Sequence, residues 1–198
     1  MTHVLTLNAG SSSLKFGLFA AAPGDRPEAE AMGLVERIGT APRLVLRDGS
    51  GAELERGALA GAQGRDHAAA LSAALAALDR QRPGARVEAV GHRVVHGGAE
   101  FDRPMRLTPD LVEALTALAP FAPLHQPHNL AGIAAARAAF PGAVQVACFD
   151  TAFHRSHPFV NDTFALPRSY YRKGIRRYGF HGLSYEYIAG EMARSAPE

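Results

Sequence analysis

The period of apolar and polar positions changes near residue 66, from strands alone to helices alternating with strands. Before that point the pattern is that of strands. "HVLTLN" (residues 3–8) alternates into an aliphatic and β-branched run. "LKFGLFA" (14–20) resumes after a polar loop, with Leu14, Phe16 and Leu18 on one face. "APGDRPEAE" (22–30) is polar and turn-rich, and "GLVERIG" (33–39) and "RLVLRDG" (43–49) read as two more strands separated by Gly and Pro. The opening part is thus expected to form a small mixed or antiparallel sheet from successive hairpins.

After residue 66 the period becomes helical. In "DHAAALSAALAALDRQ" (66–81), Leu71, Leu75 and Leu78 recur at helical spacing, with Asp66 as N-cap and Pro83-Gly84 as the stop. "VEAVGHRVVHGG" (87–98) is a strand running into a glycine-rich turn. "LTPDLVEALTALAPF" (107–121) places Thr108 at an N-cap, Pro109 at the first helical position, and Leu111, Leu115 and Leu118 on one face. "HNLAGIAAARAAFPG" (128–142) is an alanine-rich helix stopped by Pro141-Gly142, and "AVQVACFD" (143–150) is a strand that ends on Asp150. Strands alternating with helices after a hairpin-rich start imply an α/β domain with crossover connections. A boundary is expected near Asp150-Thr151. Beyond it the chain reads mostly as loop, with one helix from Ser184 onward, and under fifty residues rarely build a core of their own. Residues 1–150 are therefore read as one domain and 151–198 as the incomplete start of a second.

Composition narrows the function classes without choosing one. The 198 residues are 47% hydrophobic and 20% charged, with a formal net charge of +2, which is ordinary globular usage and gives no reason to expect nucleic acid. The cluster "YYRKGIRRYGF" (170–180) interleaves basic and aromatic residues, as single-strand binders do; in a near-neutral chain it reads better as a solvated loop or a subunit contact. A single cysteine, Cys148, excludes an internal disulfide, fits a reducing compartment, and sits in a strand as a core residue. With neither a signal peptide nor an apolar run of about 18 residues, a soluble cytoplasmic protein is expected.

Five stretches could carry chemistry. "NAGSSSLKF" (8–16) breaks a hairpin with a bend of Gly10 and three serines, whose N–H and hydroxyl groups could hold phosphate oxygens. Lys15 adds a positive charge, and Asn8 offers an oxygen suited to Mg²⁺ or its waters. A plain serine-rich turn is the alternative. It is not a Walker loop, because a strand follows instead of a helix. "GHRVVHGG" (91–98) carries Arg93, whose fork suits carboxylate or phosphate, or else simply pairs with an acidic neighbour. "FAPLHQPHN" (121–129) sets Leu124 and His125 in a proline-fixed loop. In "CFDTAFH" (148–154), Asp150 stands at a strand end, a usual place for a functional carboxylate in α/β sheets. "YGFHGLS" (178–184) puts His181 in a turn before a helix, where backbone N–H groups collect. No HExxH or paired CxxC spacing suggests zinc, and no GxSxG elbow is present.

Taken in order, "NAGSSSLKF", "GHRVVHGG", "PLHQPHN", "FDTAFH" and "YGFHG", with "GLVERIG" between them, resemble the acetate kinase family over essentially the whole chain. The resemblance implies a ribonuclease H-like (actin-like ATPase) α/β fold, a mixed sheet flanked by helices, plus the start of a second such domain. It implies Mg²⁺-dependent phosphoryl transfer between ATP and acetate, giving acetyl phosphate and ADP, in a cytoplasmic homodimer. It assigns Mg²⁺ to Asn8, and the nucleotide's phosphates to Ser11, Ser13 and Lys15. It assigns Arg93 to the carboxylate or the phosphoryl group in flight, Asp150 to acidic catalysis and His181 to the transition state. Val95, Leu124 and Phe180 would line the methyl pocket. Acetate, with a pKa near that of a glutamate side chain at about 4.3, is already ionised. Asp150 is therefore better read as positioning Mg²⁺ or its water than as a general base.

Two departures flank these motifs. Gln126 stands where the family usually has Asn, and Leu183-Ser184-Tyr185 where it commonly has Thr-Ser-His. Family members are also about twice as long. Their second half supplies an ATP phosphate loop, the adenosine pocket, a further arginine, a Mg²⁺-binding glutamate and a last helix that completes the first domain. The expectation is an amino-terminal half with little turnover alone. A propionate or butyrate kinase, or a non-catalytic binding or dimerisation module, stays open beside it.

Overall fold

The computed structural model describes residues 2–22, 24 and 26–196. Two strands, β1 (Thr2–Ala9) and β2 (Ser13–Ala21), form the opening hairpin, with Leu7 opposite Phe16 and Asn8 opposite Lys15. β3 (Glu28–Glu36), β4 (Arg43–Asp48) and β5 (Glu53–Ala58) extend it as an antiparallel meander. The helix α1 (His67–Gln81) then carries the chain back to β6 (Val87–Val94), which lies parallel to β1. After a two-residue strand β7 (Met105–Arg106) come α2 (Pro109–Ala117), α3 (Gln126–Ala139) and β8 (Val144–Phe149), the last parallel to β6. All eight strands make one mixed sheet in the order β5-β4-β3-β2-β1-β6-β8-β7. The hairpin part and the crossover part, separable in the sequence, share β1.

The helix signals work as their chemistry dictates. Asp66 caps α1 by accepting from the Ala69 N–H at 2.8 Å, and Thr108 caps α2 by accepting from Leu111 at 3.2 Å, with Pro109 opening that helix. α3 begins at Gln126, two residues before the point read from the sequence, because Pro127 fits a first turn. α1 and α3 pack on the same face of the sheet. Ala70, Ala74 and Ala77, all fully buried, let α1 lie close to Leu5, Leu14, Leu18 and Val35. A smaller core joins Val94, Leu111, Leu115, Ile133 and Phe149. Each such leucine contributes about 1.5–3 kcal/mol by leaving water.

Three strands differ from the sequence reading. Glu28, Ala29 and Glu30, read as turn, are the start of β3, where Glu28 and Ala29 pair with Ala20 and Phe19; ladder hydrogen bonds extend a strand whatever its side chains. β5, "ELERGA", is a mostly exposed edge strand with only Leu54 packed on the core, so it shows no alternation. β7 is too short to leave a pattern.

Past Phe149 the chain has a 3₁₀ turn (Ala152–Ser156), two short helices, α4 (Phe159–Asp162) and α5 (Arg168–Arg172), and α6 (Gly182–Ser195). α6 packs on the 3₁₀ turn and on β8. It is also tied to the front of the chain, where Arg26 donates to Glu191 at 2.8 Å and to the Tyr187 hydroxyl at 3.0 Å. No helix among the described residues is long and apolar enough to cross a membrane.

Candidate phosphoryl-transfer site

β1, β6 and β8 run parallel, so their carboxyl ends open on one edge of the sheet, where α/β folds place their ligands. Asn8, Arg93 and Asp150 stand at those three ends and touch. The Arg93 guanidinium donates through Nε to Asp150 Oδ2 at 2.9 Å and through Nη1 to Asn8 Oδ1 at 3.1 Å; its Nη2 also bonds Asp150 Oδ2. Asp150 is buried, whereas the Arg93 side chain keeps 29% of its surface. One carboxylate therefore fixes a cation whose outer edge stays available. Lys15, directly opposite Asn8 on β2, shares its face of the sheet. Lys15, Asn8 and Arg93 line an open cleft of about 730 Å³ that also reaches Cys148 and Leu183.

The other residues singled out in the sequence are placed less uniformly. Ser11 is exposed and Ser13 half-buried in the β1–β2 loop, where the Gly10 N–H closes the bend on the Ser13 carbonyl at 2.8 Å. His181 is exposed and left-handed, with φ 60°. It lies one residue before Gly182, whose N–H donates to the Asp150 carbonyl at 2.8 Å. A Cβ on Gly182 would run into that carbonyl and come within 2.9 Å of Phe153 Cβ, so glycine is needed for α6 to start against Asp150. Val95 is buried, but Phe180 is 41% and Leu124 73% exposed. These three do not form an enclosed methyl pocket among the described residues.

Electrostatics separate the histidines and the cysteine by environment. Burial lowers the pKa of His96, whose Nδ1 accepts from the Gly98 N–H at 2.9 Å and so must be unprotonated. Burial likewise lowers that of His92, partly offset by its bond to Gln145. Burial, and then the charge of Glu186, push the Cys148 thiol up, which fits an unreactive half-buried residue.

Comparison with known proteins decides the family. The model of the acetokinase family matches residues 3–196. This chain belongs to the acetokinase family. It is 50% identical to an acetate kinase of Methylocella silvestris and 46% identical to one of Deinococcus radiodurans, covering 98% and 96% of itself but 50% and 46% of those proteins. Among solved structures it is similar to an acetate kinase of Porphyromonas gingivalis (TM-score 0.84, 36% identity) and a propionate kinase of Francisella tularensis (TM-score 0.87, 31% identity). It covers 98% and 100% of itself, and 49% and 50% of those chains. The chain thus spans about half the length of the curated relatives it matches, and its mixed eight-stranded sheet has the actin-like ATPase fold of these kinases.

The acetokinase motifs also contain residues whose work the sequence reading missed. Asn129 accepts from the Val95 N–H at 2.9 Å and donates to the Ala9 carbonyl at 2.7 Å, joining the turn after β6 to the loop after β1. Fully buried Gln126, read only as a departure, donates to the carbonyls of His96 and Leu115. The Thr151 hydroxyl accepts from Gly97 at 3.0 Å. A signal did exist: Gln126 and Asn129 fall on the same stripe of α3 as buried Ile133 and Ala136, and polar groups on a buried stripe need partners.

Proposed function

We propose that this chain is the amino-terminal half of an acetate kinase that moves a phosphoryl group between ATP and acetate. The observation that carries the reading is the Arg93 guanidinium, held by Asn8 and Asp150 at the ends of three parallel strands beside Lys15. In this reading residues 1–150 form the acetate-side domain, and residues 151–198 begin the nucleotide-binding one. The assembled enzyme is a cytoplasmic homodimer acting on acetate, acetyl phosphate and ATP.

The transfer must bring two anions into line while charge spreads over the equatorial oxygens of the phosphoryl group. Arg93 keeps an N–H on each terminal nitrogen free of Asp150 and Asn8, enough to hold the carboxylate or the group in flight. Ser11, Ser13 and Lys15 face the nucleotide's phosphates, and His181 donates to the developing charge from the start of α6. Such donors count most where they are already oriented and water is excluded. Asp150 holds the Arg93 fork in place; acetate has no proton for it to remove. One carboxylate and one amide oxygen fit Mg²⁺, which takes one or two protein oxygens and completes its shell with waters and phosphates. Arg93 takes Asp150 Oδ2, so Asp150 through Oδ1 and Asn8 through the second lone pair of its Oδ1 would hold it there. Bound Mg²⁺ would neutralise phosphate charge.

The test is reconstitution. The 198-residue chain should form no acetyl phosphate from Mg-ATP and acetate alone. It should gain turnover when joined to the carboxyl-terminal half of an acetokinase, and lose it again with Arg93→Ala. Robust turnover by the chain alone would refute the reading of it as a half. A propionate or butyrate kinase is the second reading, favoured by the open acyl end around Phe180 and Leu124 and by the likeness to a propionate kinase. Comparing kcat/KM across acetate, propionate and butyrate separates the two, since a methylene in such a pocket is worth about 1–3 kcal/mol.

A further inference from the structure

The loop between β1 and β2 is held from behind by two side chains. His67, the first residue of α1, is buried, and its Nε2 lies 2.6 Å from the Gly10 carbonyl oxygen. A carbonyl only accepts, so Nε2 carries the proton. The ring is steadied by stacking on His128 of α3, with centroids 5.2 Å apart. Asn129, from the same helix, holds the preceding carbonyl, that of Ala9. Two successive carbonyls are therefore pinned toward α1 and α3.

The consequence follows from peptide geometry. In a trans peptide the C=O and the following N–H point in opposite directions, and no cis bond occurs among the described residues. Pinning the Gly10 carbonyl on His67 turns the Ser11 N–H the other way. That N–H takes no acceptor among the described residues, whereas the Gly10 N–H is consumed in closing the bend on Ser13. Ser11 itself is exposed. The loop thus offers one oriented, uncommitted backbone donor next to two hydroxyl side chains.

We propose that His67 is a positioning residue for anion binding. By fixing the Gly10–Ser11 peptide plane it aims the Ser11 N–H at a phosphate oxygen. The inference rests on the phosphoryl-transfer reading of the loop, and goes beyond it by assigning a role to a residue outside all five motifs.

The test follows backbone amides of the 198-residue chain by ¹⁵N NMR, with inorganic tripolyphosphate as probe. In the wild type the Ser11 amide should shift on titration, and the His67 Nε2–H should appear as a slowly exchanging imidazole proton. His67→Phe keeps the ring and its stacking and removes the donor. It should leave the unfolding midpoint nearly unchanged, lower the ¹H–¹⁵N NOE of Ser11 and Ser12, and weaken tripolyphosphate about tenfold. His67→Gln restores a donor and should stay within about threefold of wild type. A wild-type loop that ignores tripolyphosphate overturns the phosphate reading of the loop and the inference with it. A loop that binds equally well in wild type and His67→Phe overturns the role of His67 alone. If His67→Phe does not fold, absence of the protected imidazole proton in the wild type does the same.

Discussion

The two ends of this molecule are built differently. Every buried apolar residue of the described chain lies at or before Phe149, in two cores against one sheet. After Asp150 the large apolar side chains are exposed instead, among them Phe159, Val160, Leu166, Tyr185, Ile188 and Met192. The front region stabilises itself by burial, whereas the rear is fastened to it at a few points, among them the Arg26–Glu191 pair, the Gly182–Asp150 bond and the Tyr178 and Phe180 rings against His96. Having secondary structure and having a core are thus separate properties.

That contrast can be attacked by substitution. The largest effect should come from Arg93→Met, which leaves the buried Asp150 carboxylate without its partner. A stability loss of about 3–5 kcal/mol is expected by urea unfolding, and Asp150→Asn in the same background should recover much of it. Leu115→Ala, in the smaller core, should cost about 2–5 kcal/mol. Gly182→Ala should cost about 1–3 kcal/mol by crowding the Asp150 carbonyl. Its mark should be local, as faster amide exchange in α6 with β1 to β6 unchanged. Ile188→Ala, more than half exposed, should stay within about 0.5 kcal/mol. If Ile188→Ala proved as costly as Leu115→Ala, the division into a packed front and a fastened rear would be wrong.

Acidity gives a subtler probe of the same division. His92 and His96 have folded pKa values lowered by burial from the ordinary 6.5. The unfolded chain therefore binds protons that the folded chain refuses as pH falls below 6.5. Their stabilising contribution is complete above that value and is lost progressively below it. Urea midpoints should decline from pH 7 to pH 5, and less so in His96→Asn, whose amide oxygen can still accept from Gly98. A flat profile would mean that neither ring is buried as described.

Much of the fold was legible because its signals are local. Asp66, Thr108 and Pro109 announce helix starts through backbone hydrogen bonds a few residues away, and Leu14, Phe16 and Leu18 announce a buried strand face by alternation. β5 was not legible, since a mostly exposed edge strand with one packed leucine obeys no hydrophobic period. In the site, Asn8, Arg93 and Asp150 could be picked out as polar residues at apolar strand ends. Their mutual contact could not, because it depends on β6 lying between β1 and β8. Nor could the partners of Asn129 and His67, which are backbone groups across the fold. Leu124 shows the opposite limit: it sits inside a recognisable motif and is nonetheless largely exposed.

The place of β1 also bears on how the chain folds. β1 to β5 join neighbours in sequence, so their hairpins can close quickly. Arg93 bonds a residue 85 positions earlier and one 57 positions later, so its contacts require two long loop closures. Ordering such loops precedes the reward of the contact, and topologies rich in distant pairs fold slowly. The meander should therefore gain protection early in a refolding experiment. The Arg93 cluster should gain it late, at the step that seats β6 and β8 beside β1.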